Sequence, residues 1–402
     1  MRTEAIFEHG AVDVLGGAAV DSAAAAPFVT VFNDIEAVRP LWERLASTNR
    51  LSPGQDFAFI RQWIEAQGIA PRDCYFVVAS WGGAPVALLP LQRRLSQGIR
   101  VLTWFPRAHV GCHAPIIDAE RLAALTSDER RSLWQAVRRN LRGADALILC
   151  SVPLREGSAD PFAELGSSSV VETLYRSVFA NWEEADRVQR SKSRRKHDRQ
   201  QGERLEALGS VEFKELGNGP EAEAVLAVMF RQRAARFAEM GVRDPFACPK
   251  TRSFYDRSVA AGSGIAVKLH VLKLNGEIVA VRYSIALGGQ LFCLISSMSV
   301  DPAIQGGSPG KQCLLRVMQS VFEAGYSAFD MGSGFTDEKR HWCNEQVPLR
   351  NFYLPLTPQG FVVAQLQRQW QVLRSRIKGN ERLLGLIKAW RSRGHAKAAA
   401  SS

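Results

Sequence analysis

The 402-residue chain has no apolar run approaching the roughly 20 residues that a bilayer-spanning helix needs. Its seven cysteines (Cys74, Cys112, Cys150, Cys248, Cys293, Cys313, Cys343) form no C-x-x-C pair and fit no zinc-finger spacing. Several stand in apolar patterns, where cysteine behaves as a small hydrophobe, so a reducing, cytoplasmic setting is expected. "HVGCH" (109–113) offers His109, Cys112 and His113 without a fourth ligand at usable spacing, and no metal is expected. G-x-G-x-x-G is absent, which removes the dinucleotide fingerprint. A nucleotide P-loop also fails: Gly310-Lys311 supplies its G-K, but Gln305 and Gln312 stand where Gly and Ser/Thr belong.

What is present is an ordinary globular balance, 46% hydrophobic and 23% charged, long enough for two domains. The first residues, with Glu4, Glu8, Asp13 and Asp21, lack the uninterrupted core of a secretory signal, and 1–27 reads as a flexible leader. The net charge of +11 is uneven. Residues 187–204 hold an excess of six positive charges and residues 361–402 an excess of eight, which leaves the remainder at −3. Basicity therefore belongs to one segment and one tail. "RSKSRRKHDR" lacks the interleaved aromatics of a nucleic-acid surface, so a solvated helix face or a contact to an anionic substrate is favoured.

An internal repeat organises the body. "YFVVASWGGAPVALLPLQ" (75–92) and "LHVLKLNGEIVAVRYSIAL" (269–287) each read as a hairpin, with Gly-Gly and Asn275-Gly276 turns. Each is followed by a helix that ends at glycine and then by a buried strand, over 130–152 and 310–332. This order predicts a duplicated α/β architecture with a mixed sheet, in lobes 28–180 and 181–360 followed by a basic amphipathic tail, 361–402.

The loop "DPAIQGGSPGKQCLL" (301–315) runs straight into a helix, where unpaired N–H groups and the helix dipole favour an anion. The competing reading is a plain cap, with Ser308 as N-cap and Pro309 at N1. Asp330 closes the strand "YSAFD"; it is set either to handle an amine or to fix the turn "DMGSG". Lys339 and Trp342 read as acceptor contacts or as a solvated loop over a packed aromatic.

Three stretches, "SKSRRKHDRQQGERLEALGSVEF" (191–213), "SPGKQCLL" (308–315) and "FDMGSGFTDEKRHW" (329–342), resemble the GNAT superfamily of acyltransferases. The likeness is to its CelD-type cellulose-biosynthesis branch, related to the FemABX peptidyltransferases. Gln305, Ser308 and Gly310 occupy the [QR]-x-x-G-x-[GA] spacing of the pyrophosphate loop, with Ser for the middle Gly, and Glu338 replaces an aromatic before the Lys. The resemblance implies tandem GNAT-like domains and acetyl-CoA or another acyl-CoA held by Gln305, Gly306, Gly307, Ser308, Pro309, Gly310 and Lys311. It implies Asp330 and Lys339 as catalytic, Trp342 as acceptor-binding, and a strand over 291–300 that polarises the carbonyl. The expected function is N-acyl transfer to a small or envelope-precursor amine; the tail reads either as a helix packed against lobe one, which is favoured, or as a peripheral membrane contact. The alternatives are aminoacyl transfer from tRNA and a non-catalytic assembly factor for polysaccharide synthesis.

Overall fold

A computed structural model of the protein describes residues 26–46, 50–106, 109–157 and 160–378, with side chains up to residue 371. Lobe one comprises β1 (Pro27–Phe32), α1 (Arg39–Leu45), α2 (Phe57–Gln67), β2 (Cys74–Trp81), β3 (Ala84–Ser96), β4 (Ile99–Trp104), β5 (Ile116–Ile117), α3 (Ala119–Ala124), α4 (Ser127–Asn140), β6 (Ala146–Pro153) and β7 (Ser168–Ser177). Lobe two comprises α5 (Trp182–Gln189), α6 (Lys192–Glu206), β8 (Val211–Leu216), α7 (Pro220–Glu239), α8 (Pro249–Ser258), β9 (Val267–Leu274), β10 (Glu277–Leu287), β11 (Gln290–Met298), α9 (Pro309–Glu323), β12 (Ala328–Ser333), α10 (Asp337–Trp342) and β13 (Glu345–Pro355). The final helix is α11 (Pro358–Lys378).

Both predicted hairpins form, β2–β3 and β9–β10. Gly82 and Gly83 (φ 55° and 80°) and Asn275 and Gly276 (φ 52° and 80°) supply the paired left-handed residues that match a hairpin turn to strand twist. Past α9, Gly325 is left-handed, and the Gly325 and Tyr326 N–H groups close the helix onto Phe322 and Val321 carbonyls.

The described strands join one mixed sheet, ordered β1-β2-β3-β4-β6-β13-β7-β12-β11-β10-β9-β8, with β5 on β3. The series β1-β2-β3-β4-α4-β6-β7 recurs as β8-β9-β10-β11-α9-β12-β13. In each copy the helix returns a parallel strand: β6 beside β4, and β12 beside β11. The last strands are exchanged, β7 pairing with β12 and β13 with β6. Strand pattern alone does not encode that choice of partner.

Alternate residues of each strand face two helical layers. Val77, Leu89 and Leu149 lie under Leu133 and Trp134 of α4. Leu272, Leu291 and Phe329 lie under Leu314, Val317 and Met318 of α9. On the opposite face Phe76, Val271 and Tyr283 meet α2, α7 and α8 in a core shared by both lobes, which includes Phe59, Phe230 and Phe254. Each such large side chain contributes about 1.5–3 kcal/mol by leaving water. The two lobes therefore hold each other through the exchanged strands and a common core.

Candidate functional site

α9 starts at Pro309, where a missing N–H costs nothing. Ser308 occupies the N-cap position in a left-handed conformation (φ 47°) and caps nothing with its side chain. Its hydroxyl instead accepts a hydrogen bond from Gln201 Nε2 of α6 at 2.9 Å. The plain side-chain cap expected as the alternative at Ser308 is thus not formed, and the strained backbone costs on the order of 1 kcal/mol. The Ser308 carbonyl accepts from the Lys311 and Gln312 N–H groups at 2.9 and 3.0 Å, while the Gly310 N–H belongs to the unpaired first turn. Gln305 Nε2 donates to the Ser299 and Asp301 carbonyls at 2.8 and 3.1 Å, so its amide ties the turn. A Cβ on Gly307 would lie 2.9 Å from Leu205 Cβ of α6, whereas one on Gly306 would meet nothing within 4 Å. The loop is pressed onto α6 on one side and open on the other, with Lys311 exposed.

Beside this helix start the sheet splits. β11 and β12 pair only over Gln290–Ala328, Leu291–Phe329 and Phe292–Asp330. Beyond that β11 runs on to Met298, and its register against β10 skips Leu294, a bulge that bends the strand away. Backbone groups on the β12 side of β11 therefore have no partner strand. A cavity of about 350 Å³ opens here, lined by Arg233, Arg282, Ser297, Met298, Gly310 and Glu338 among others.

Arg282 is the residue sequence reasoning missed, although it is the lone charge in the strand "IVAVRYSIAL". It is only 6% exposed and pairs with Glu338 at 3.0 Å. Burial opposes its charge and the Glu338 carboxylate favours it, and on balance its pKa is raised. It also donates to the Gly310 carbonyl at 3.4 Å, and its buried Nε–H has no acceptor. Glu338 thus serves as the counter-ion of a buried cation. Arg233 donates to the Ser296 carbonyl at 2.6 Å and holds the strand end.

Asp330 is 3% exposed at the end of β12. Its Oδ1 accepts from the Gly332 N–H at 2.7 Å, its Oδ2 has no hydrogen bond, and Arg176 Nε stands 3.7 Å away. Burial pushes its pKa to about 6, against the Gly332 N–H and the Arg176 charge. A Cβ on Gly111 of lobe one would lie 3.0 Å from Gly332 Cα and 3.4 Å from Asp330 Oδ1, so the carboxyl sits at the seam of the lobes. The Asx-type turn and the perturbed acid are the same residue. Asp330 does not line the 350 Å³ cavity.

Lys339 donates to the Gly332, Ser333 and Gly334 carbonyls at 3.2, 2.6 and 2.9 Å, clamping the glycine-rich turn after Asp330. Burial lowers its pKa. Trp342 is 3% exposed and packs 6.2 Å from the Trp182 ring in the core beneath α9, away from the cavity wall. In "HVGCH", His109 hydrogen-bonds Tyr255 Oη at 3.1 Å and is held near pKa 4 by burial, and His113 stacks on Trp104. Among the described residues no group of three His, Cys, Asp or Glu side chains is set to hold a metal.

A coenzyme A pyrophosphate fits these residues. The loop offers an open glycine, a free first-turn N–H and an exposed lysine, and the adjoining cavity carries a buried guanidinium with an unused donor.

Residues 192–340 match the family described as the acetyltransferase (GNAT) domain. A solved structure of FemX superimposes with a TM-score of 0.55 at 11% identity, covering 81% of this chain and 98% of that one. A conserved protein of unknown function from Bacteroides thetaiotaomicron gives 0.50 at 12% identity, covering 81% and 99%. Identities this low speak for fold alone. No curated protein sequence matches the chain. The matched segment contains the loop, the parted strands, Asp330 and Lys339, so residues 192–340, the second lobe of an α/β tandem of GNAT-like domains, are similar to a GNAT acetyltransferase domain.

Proposed function

We propose that the protein is an acyl-CoA-dependent N-acyltransferase acting on an amine acceptor. The observation that carries this reading is the parting of β11 from β12 after three residue pairs, directly beside the N-terminus of α9. The thioester supplies the activated acyl group. The chain supplies the rest: Gly306, Gly310 and Lys311 hold phosphate oxygens, and unpaired N–H groups of β11 polarise the carbonyl. Asp330 takes the ammonium proton, suited by its pKa of about 6, and Lys339 positions the turn that carries it. Trp342 supports this segment from the core.

The acceptor is proposed to be a small or cell-envelope-precursor amine met in the cytoplasm. The basic tail 361–402 would bring the chain to anionic membranes. Phe361, Val362, Leu366 and Trp370 of α11 all stand more than half exposed, which supports such a contact. Among the described residues no helix is long and apolar enough to cross a membrane. The tRNA-dependent alternative keeps one point in its favour, because basic α6 packs directly against the loop. Release of free thiol from acetyl-CoA or longer acyl-CoAs, driven by an amine pool, separates the two. Thiol release that survives nuclease treatment is expected, and activity that needs charged tRNA and ignores every acyl-CoA would replace this reading by the alternative.

A further inference from the structure

Lobe one has its own strand parting: β4 and β6 pair only over Val101–Ala146 and Leu102–Leu147. A chamber of about 1010 Å³ lies there, with Trp63, Trp104, His109 and His113 among its walls. Its charged walls are Arg72, Arg93 and Arg94 against Asp73 alone, and Asp73 is engaged by Arg93 at 3.0 Å. Next to it runs a groove of about 520 Å³ with a different chemistry, lined by Leu95, Val101, Ile148, Tyr353, Leu366 and Trp370. The two spaces share Arg94, Thr103, Cys150 and Gln371. Arg94 is the single charged residue among those described along the groove, and it stands at the junction.

The orientation of α11 explains why the groove is apolar. The helix rests on the sheet through Gly360 and Ala364, which are buried, and Val363, Gln367 and Gln371, which are partly so, with Val363 on Ile99, Val101 and Ile148. A Cβ on Gly360 would fall 1.6 Å from the Asp145 carbonyl oxygen, so the close approach needs glycine. Leu366 and Trp370 are consequently turned outward, each 63% exposed, and form the groove's outer wall beside Leu95, which is 76% exposed. Docking through Val363 and Ala364 covers only one side of the helix, and Leu366 and Trp370 remain an uncovered apolar wall.

We infer that lobe one binds an anionic amphiphile, its polar head in the arginine-lined chamber and its hydrocarbon chain in the groove under α11. Charge selects the occupant: a chamber with an excess of arginines, continuous with a largely apolar groove whose single described charge is Arg94 at the junction, matches one molecule with an anionic head and a hydrocarbon tail. The site is separate from the β11–β12 opening and stands independently of the acyl-CoA reading, because its test reads binding alone.

The test is calorimetric titration of the full chain with dodecyl phosphate below its micelle concentration, beside inorganic phosphate and dodecyl maltoside. Dodecyl phosphate is expected to bind one site at least tenfold more tightly than either. Leu366→Asp, on an exposed wall, should weaken it at least tenfold with an unchanged melting midpoint, and Arg94→Glu should erase its advantage over the maltoside. Displacement by phosphatidylglycerol vesicles, the expected result, points to a membrane lipid as the natural source. No displacement overturns that source in favour of a soluble acyl phosphate. Inorganic phosphate or the maltoside binding as tightly, no binding at all, or indifference to both substitutions overturns the proposal.

Discussion

Asp330 ties the chemistry of the site to a pH dependence of stability. Its pKa is about 6 in the folded chain against an ordinary 3.8, so between these values the folded state holds the proton more often than the unfolded one. The stabilisation is therefore present below about pH 4 and is lost as pH rises through 6. Asp330→Asn keeps an acceptor for the Gly332 N–H but cannot ionise. The fall in its melting midpoint between pH 4 and 7 should shrink by the equivalent of about 2 kcal/mol. Turnover should fall about 100-fold with little change in CoA affinity. A pH profile and a turnover equal to those of the parent chain would make Asp330 a turn residue only. The sequence marked Asp330 because an acid ends an apolar strand, but it did not show that lobe one closes over it. Arg282 went unmarked because its counter-ion, Glu338, lies 56 residues away and only the fold brings them together.

At the scale of elements, hairpins, helix stops and the glycine-rich helix start were legible because turn chemistry is local. Asn275-Gly276 and Gly325 do what their residue types require. The support beneath the loop was not legible. α6 reads as a solvated basic helix, yet Asp198, Gln201, Gly202 and Leu205 face inward, and Gly307 lies on Leu205. Arg190 and Arg194 each hold Asp198 at 3.0 Å, so part of the basic segment is spent on fixing α6. Gly307→Ala pushes a methyl group to 2.9 Å from Leu205 Cβ and 3.1 Å from its Cα, which must part the loop from α6. A loss of about 1–3 kcal/mol in denaturant unfolding is expected, together with weaker CoA binding. Unchanged stability would mean that α6 does not buttress the loop.

For the whole molecule, the duplication was visible in the sequence, whereas the exchange of β7 and β13 was not, because both strands satisfy the same pattern on either side. The tail is a mixed case. Trp370 lies in the described helix and is exposed, while Leu383, Leu384, Ile387 and Trp390 fall outside the described residues. Each cation near an anionic surface adds about 1 kcal/mol of attraction. Full-length protein is therefore expected to sediment with phosphatidylglycerol liposomes at low salt, and a chain ending at residue 378 to remain mostly in the supernatant. Both remaining in the supernatant would confine the tail to packing. The central claim is that acyl-CoA rests on the loop 305–311 beside the parted strands, and Gly306 isolates it because added bulk there meets no protein atom. The decisive measurement is calorimetric titration of coenzyme A into the parent chain and Gly306→Val. We expect binding to the parent chain and at least a tenfold loss in the variant, about 1.4 kcal/mol, at an unchanged melting midpoint. Equal affinity in the two, or no binding to the parent chain, would contradict the account.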